Sequence, residues 1–251
     1  MPRRKPLPIP DDFQMFDGWL DQLNILRRWR TDHKAPVDEM GAHCIPRSPE
    51  GTPEHRFQLL LGLMLSSQTK DPVTFKAMDN IHELVAPEPL SADSISKYTE
   101  EEVHDCIRSV GFHNRKSDYI QRATKIIKEE YDGDLPTEYN DIVALPGVGQ
   151  KMAILALQIG YNKCVGVSVD THVHRLTKRL GWRPEWKEPK KTSRYLTETI
   201  PEQEWHDINH VLVGFGQLVC DAKKPKCDIC PIYSSCVSED KRDIGDIEDI
   251  E

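Results

Sequence analysis

The chain has 251 residues, 38% of them hydrophobic and 29% charged, with a formal net charge of −8. This composition excludes a disordered chain and a collagen-like fibre, and suits one large or two small globular domains. The longest apolar run, 59–65, falls far short of the ~20 residues of a membrane span, so no membrane association is expected.

The helical period dominates from the start. Residues 57–65 read as a buried helix, and 71–85 place Val73, Phe75, Met78, Ile81, Leu84 and Val85 close to a 3.6-residue repeat. Thr99 with Glu102 forms a capping box ahead of Val103, Cys106, Ile107 and Val110, with Gly111 as a stop signal. A helix over 116–131 ends at Gly133. A short one over 139–144 leads into the turn Leu145-Pro-Gly-Val-Gly149 and an apolar helix over 152–160. Further helices are expected over 171–180, 191–197 and 202–219, the last with a buried stripe of Ile208, Val211, Leu212 and Phe215. No alternating pattern bounded by hairpin turns occurs, so the expected fold class is all-α.

The two ends read as polar, disordered tails, 1–12 and 237–251. The start, Met1 to Pro6, is basic but is followed by Pro10-Asp11-Asp12 where a signal peptide would be apolar, so secretion is not expected. From Val237 onward seven acids oppose Lys241 and Arg242, a charge of −5 that leaves only −3 for the rest of the chain. Local basic clusters therefore decide for or against nucleic acid, and the total does not.

Four of the seven cysteines, Cys220, Cys227, Cys230 and Cys236, fall within 17 residues in the spacing Cys-x6-Cys-x2-Cys-x5-Cys. Four thiolates so close in sequence can converge on one metal centre, either a [4Fe-4S] cluster or a tetrahedral zinc. The remaining Cys44, Cys106 and Cys164 read as buried small hydrophobes. Lys223, Lys224 and Lys226 lie in the loop between the first two ligands, where a pinned backbone would hold them toward phosphates, or leave them as a solvated face.

In the turn after 139–144, Gly147 and Gly149 can take positive φ and admit a second backbone. Leu145, Gly147, Val148 and Gly149 would then present amides to a phosphate at a helix start, as in a helix-hairpin-helix; a plain tight turn is the alternative. Lys151 follows at once, where the positive helix end disfavours an ammonium and frees the amine as a nucleophile. Asp170, before Thr171, reads as an N-cap, a catalytic carboxylate, or both. His172 and His174 lack the spacing of a zinc site and suit hydrogen bonding beside the Asp170 loop. Arg175, Lys178, Arg179 and Arg183 give either a basic surface or a solvated helix face.

Taken together, the segments Leu65-Ser-Ser-Gln68-Thr-Lys-Asp71, Leu145-Pro-Gly-Val-Gly-Gln-Lys151, Val169-Asp-Thr-His-Val-His-Arg175 and the four-cysteine run resemble the endonuclease III family of DNA glycosylase/AP lyases. The likeness runs from about Arg56 to Cys236 and leans toward the eukaryotic branch. It implies two helical domains flanking a DNA-binding cleft: a six-helix barrel over 49–163, with the helix-hairpin-helix at about 138–160, and a domain of 13–48 plus 164–236 holding a structural [4Fe-4S] cluster on the four cysteines.

The same resemblance implies that Lys151 attacks C1′ of the damaged nucleotide to form a Schiff base, that Asp170 assists it, and that β-elimination cleaves the strand. Gln68 matches the residue inserted where a base has been flipped out. Phe112 aligns with an apolar wedge on the other side; a core aromatic is the alternative. Expected partners are duplex DNA with abasic sites or oxidised pyrimidines such as thymine glycol and 5-hydroxycytosine, bound by a monomer in the nucleus or mitochondrion. The lysine, the Asp-Thr-His segment and the shortness of chain after Cys236 disfavour adenine glycosylases. The cysteines disfavour 8-oxoguanine glycosylases.

Overall fold

A computed structural model describes residues 7–243. Among these residues there is no strand and no helix long and apolar enough to cross a membrane. The chain divides into two units, one formed by 1–38 with 166–251 and the other by the continuous stretch 39–165.

The continuous unit begins within the short helix α2 (Pro36–Met40) and is built on α3 (Pro53–Ser66), α4 (Asp71–Val85), α5 (Ala92–Ile95), α6 (Glu100–Cys106), α7 (His113–Glu130), α8 (Tyr139–Ala144) and α9 (Gln150–Tyr161). Thr52 caps α3 by accepting the His55 amide at 3.2 Å, and Pro53 stands in the first turn, where its missing N–H costs nothing. Mostly apolar, though it carries His55, Arg56 and Gln58, α3 is buried from His55 to Leu65 and forms the axis of the core. The amphipathic α4 lays Ala77, Met78, Ile81 and Val85 against it. Thr99 and Glu102 close the expected capping box at α6.

Three details differ from the sequence reading here. The unit starts ten residues earlier than 49, because Ile45 is buried in its core and sits against Gly62 of α3 so tightly that a Cβ there would lie 2.5 Å from it. Helix α6 stops at Cys106, and α7 begins at His113 instead of 116, from a left-handed Phe112. Cys44, Cys106 and Cys164 are half-buried.

The other unit comprises α1 (Trp19–Asp32), α10 (Thr171–Arg179), α11 (Pro189–Thr199), α12 (Trp205–Leu218) and the cysteine segment. Helix α12 packs against both α1 and α10 and buries Ile208, Val211, Leu212 and Phe215. Trp182 is fully buried and donates its indole N–H to Gln22 at 2.8 Å; the Gln22 amide donates in turn to the Ser235 carbonyl at 2.8 Å. A buried glutamine of α1 thereby satisfies a core indole and ties down the cysteine segment.

The tails are shorter than 1–12 and 237–251. Trp186 donates to the Pro8 carbonyl at 3.2 Å, and Leu7 packs on the core. At the far end Arg179 bonds Asp240 at 3.0 Å, and Tyr233 donates to the Arg242 carbonyl. The tail expectations for 1–6 and 244–251 lie outside the described residues.

Candidate functional site

In the continuous unit, the hairpin of α8 and α9 turns through Gly147 at φ +77°. A Cβ there would lie 2.7–2.8 Å from the Tyr119 ring, so glycine is required twice over, for conformation and for space. Gly149 does not share this role: it caps α9 with φ −100° and open space around it. Its extended backbone still leaves the first amides of α9 without intrahelical acceptors, the condition for anion binding. Leu145 and Val148 bury their side chains in the core and donate their amides to the Ile142 and Leu145 carbonyls at 3.1 Å, so neither offers the amide to a phosphate that the sequence suggests. Lys151, second residue of α9, is exposed.

Gln68 and Phe112 also stand in this unit, both with left-handed backbones, φ 53° and 60°. They line one cavity of about 180 Å³ together with Arg115, Lys116, Tyr119 and Gly147. Phe112 is 58% exposed, which removes it from the core and leaves an apolar ring in solvent. The two turns are joined: the Gly111 amide donates to Thr69 Oγ1 at 3.2 Å, and a Cβ on Gly111 would lie 2.6 Å from the Gln68 carbonyl oxygen. Lys116 is buried beneath them. It was legible as an anomaly, a cation on the stripe that continues through Ile120, Ala123 and Ile127 of α7.

In the other unit, Asp170 is the N-cap of α10 and accepts the Val173 amide at 2.8 Å. Of the nearby histidines, His172 meets Arg175 at 3.3 Å and His174 meets Thr192 at 2.9 Å. Burial holds His174 below the ordinary imidazole range.

The expected basic face is largely a scaffold. Arg183 is 3% exposed and donates to the His174 and Pro184 carbonyls. Arg175 donates to the Cys220 carbonyl at 2.8 Å, and Arg179 to the Asp221 and Ala222 carbonyls at 2.7 and 3.0 Å. Planar, multiply donating guanidiniums suit this work of holding carbonyl-rich loops.

That loop belongs to the cysteines. Cys220, Cys227, Cys230 and Cys236 line one cavity whose other walls include Leu180, Phe215, Val219 and Ile232. Among the described residues no three donors are grouped as a single metal ion would require. Four thiols round one cavity are the donor set of a polynuclear centre or of a single zinc. Two of them receive N–H donors, Cys220 Sγ from Arg179 and Cys227 Sγ from the Arg242 amide, each at 3.5 Å. Burial pushes the Cys230 thiol up to about 12 and raises Cys220 as well, so thiolates at these two positions need the compensating charge of a bound metal centre. Lys223, Lys224 and Lys226 are exposed on the intervening loop, where the Asp221 carboxylate accepts the amides of Lys223 and Lys224 at 2.8 and 3.0 Å. Those bonds hold the Asp221 carboxyl down at about 2.

Comparison with known proteins gives matches over most of the chain. The family described as HhH-GPD superfamily base excision DNA repair protein matches residues 61–202, and the iron-sulfur binding domain of endonuclease III matches 220–236. The bovine Endonuclease III-like protein 1 is 43% identical over 221 residues, covering 87% of this chain and 70% of that protein. The Endonuclease III homolog of Encephalitozoon cuniculi is 40% identical, covering 85% and 91%. Endonuclease III homolog 1, chloroplastic, of Arabidopsis thaliana is also 40% identical over 88% of the chain, which spans 59% of its length. Among solved structures, a trapped covalent endonuclease III–DNA intermediate superposes with a TM-score of 0.72 at 27% identity, covering 87% of this chain and 93% of that one.

Proposed function

The chain belongs to the endonuclease III family of the HhH-GPD superfamily, the DNA glycosylases of base excision repair, and on that premise we propose that it removes oxidised pyrimidines from duplex DNA and cleaves the resulting abasic site. The observation that carries this reading is the placement of Lys151 in the first turn of α9, directly after the Gly147 turn, among helix-start amides that have no intrahelical acceptor and suit a DNA phosphate.

In the proposed reaction the neutral amine of Lys151 attacks C1′ of the flipped nucleotide as the bond from C1′ to the base nitrogen breaks. The base leaves with that electron pair and is protonated. Asp170, held by the Val173 amide, offers its carboxylate to the positive charge that develops on the sugar. The ammonium formed on attack gives up a proton, the ring oxygen takes one up as its bond to C1′ breaks, and an iminium between Lys151 and C1′ remains. Loss of a C2′ proton then expels the 3′ phosphate, the iminium accepting the electrons, and hydrolysis frees the lysine.

Gln68 and Phe112 fill the space that the flipped nucleotide leaves, one by hydrogen bonding the orphaned base and the other by stacking. An iron–sulfur cluster, of the [4Fe-4S] type, gives structural reinforcement when bound by Cys220, Cys227, Cys230 and Cys236. It fixes the loop that carries Lys223, Lys224 and Lys226 toward DNA phosphates. The substrate is nuclear or organellar DNA, met by a monomer.

Borohydride trapping tests the chemistry. Duplex DNA with an abasic site or thymine glycol should yield a covalent adduct with the native protein and none with Lys151→Ala. Binding without any adduct in the native protein would leave a monofunctional glycosylase or a binding module instead.

A further inference from the structure

One buried cation has no place in the chemistry above. Lys116 is 6% exposed, and its Nζ donates to the Leu65 carbonyl at 2.7 Å, the Ser67 carbonyl at 2.6 Å and Thr69 Oγ1 at 3.3 Å. All three protons of the ammonium are thereby used, and each acceptor is a neutral oxygen. Burial lowers Lys116 to about 8. Desolvating an ammonium is costly, and a glycine is the usual means of ending a helix.

The oxygens it holds explain the expense. The Leu65 carbonyl is among the last four of α3, which no amide of the helix can reach, and Ser67 is the first residue beyond. Gln68 follows in the left-handed region, which a glutamine seldom occupies without support. Thr69 then turns the same hydroxyl to the Gly111 amide, and Gly111 leads into the left-handed Phe112. Lys116, Thr69 and Gly111 form one joint, and Gln68 and Phe112, both exposed at the cavity, project from the turns it holds.

We propose that Lys116 is a positioning residue: its ammonium locks the Ser67–Thr69 turn and, through Thr69, the Gly111–Phe112 turn, so that Gln68 and Phe112 meet the duplex as a preset pair. The proposal rests on the reading that these two side chains enter the helix. It assigns Lys116 no contact with DNA.

The test is a double-mutant cycle on the full chain with its cluster, read by single-turnover excision from a thymine glycol duplex. The base opposite the lesion is 2-aminopurine, whose fluorescence reports on unstacking of the orphan. Lys116→Met should slow excision on the order of tenfold and damp the fluorescence change. Combined with Gln68→Ala it should be no slower than the more impaired single variant, because both remove the same insertion. Multiplying effects, or a native rate and signal in Lys116→Met, would overturn the positioning role while leaving Gln68 insertion in place. A native rate and signal in Gln68→Ala would overturn insertion itself, and the role of Lys116 with it. Should Lys116→Met not fold, Thr69→Val carries the same cycle, since it removes only the hydroxyl that links the two turns.

Discussion

The α-carbon of Gly111 faces the carbonyl oxygen of Gln68 so closely that a Cβ would stand 2.6 Å from it. The obstacle is backbone, so no rotamer change relieves it. Gly111→Ala should therefore push the Gln68 and Phe112 turns apart, costing about 1–3 kcal/mol of stability as overpacking does, and slowing excision from duplex DNA by about tenfold or more. Thermal melts and single-turnover excision assays check the two halves. Native excision in a folded Gly111→Ala would show that the spacing of these turns does not matter.

Asp170 caps α10, and the catalytic role proposed for its carboxylate separates from that cap by substitution. Asn is as good an N-cap as Asp, so Asp170→Asn should keep the bond to the Val173 amide and the melting temperature, while excision falls about 10²-fold or more. Asp170→Ala should lose the cap as well, about 1 kcal/mol in stability. Equal activities in Asn and native proteins would reduce Asp170 to a cap.

Lys223, Lys224 and Lys226 are exposed on a loop bounded by Cys220 and Cys227. Each lysine that meets a phosphate should contribute about 1 to the slope of log affinity against log salt, and glutamine at all three should flatten it accordingly. Fluorescence anisotropy over a salt series reads this directly. An unchanged slope removes the loop from the DNA interface.

Arg56 grips Asp134 through Nε at 2.7 Å and Nη2 at 2.5 Å. Burial alone would raise the Asp134 carboxyl, but the Arg56 hydrogen bonds, the Leu135 amide and the Arg56 charge outweigh it and hold the group below its ordinary 3.8. A carboxyl depressed in the folded state stabilises fully above 3.8, and that stability is lost as pH falls below it. Asp134→Asn should cost about 2 kcal/mol near neutrality and flatten the acid limb of stability against pH. Urea melts at neutral and acid pH decide.

The capping box at Thr99, the Gly147 turn and the cysteine spacing were legible because each is a local pattern, written within a few residues of chain. The joint beneath Gln68 was not, because it brings Lys116 to carbonyls 49 and 51 positions away, and no periodicity encodes such a pairing. The arginines misled for the opposite reason. Arg179 and Arg183 look like a solvated face until the loops they hold are in place. Helix α1 entered only through the family resemblance and not through periodicity, because its buried positions, Gln22, Leu23 and Leu26, are few and one is polar.

The split unit also imposes an order on synthesis. Helix α1 packs on α12, yet about 170 residues separate Asp32 from Trp205. At roughly 5–20 residues per second, α1 emerges from the ribosome some ten to thirty seconds before its partner, and the whole of the continuous unit, 39–165, is made in between. A strongly apolar helix would invite aggregation during that wait. On α1 the apolar residues that meet the core shared with α12, among them Trp19, Leu23, Leu26 and Trp29, are interspersed with Asp21, Asn24, Arg27 and Arg28, so every turn of the waiting helix also carries polar side chains.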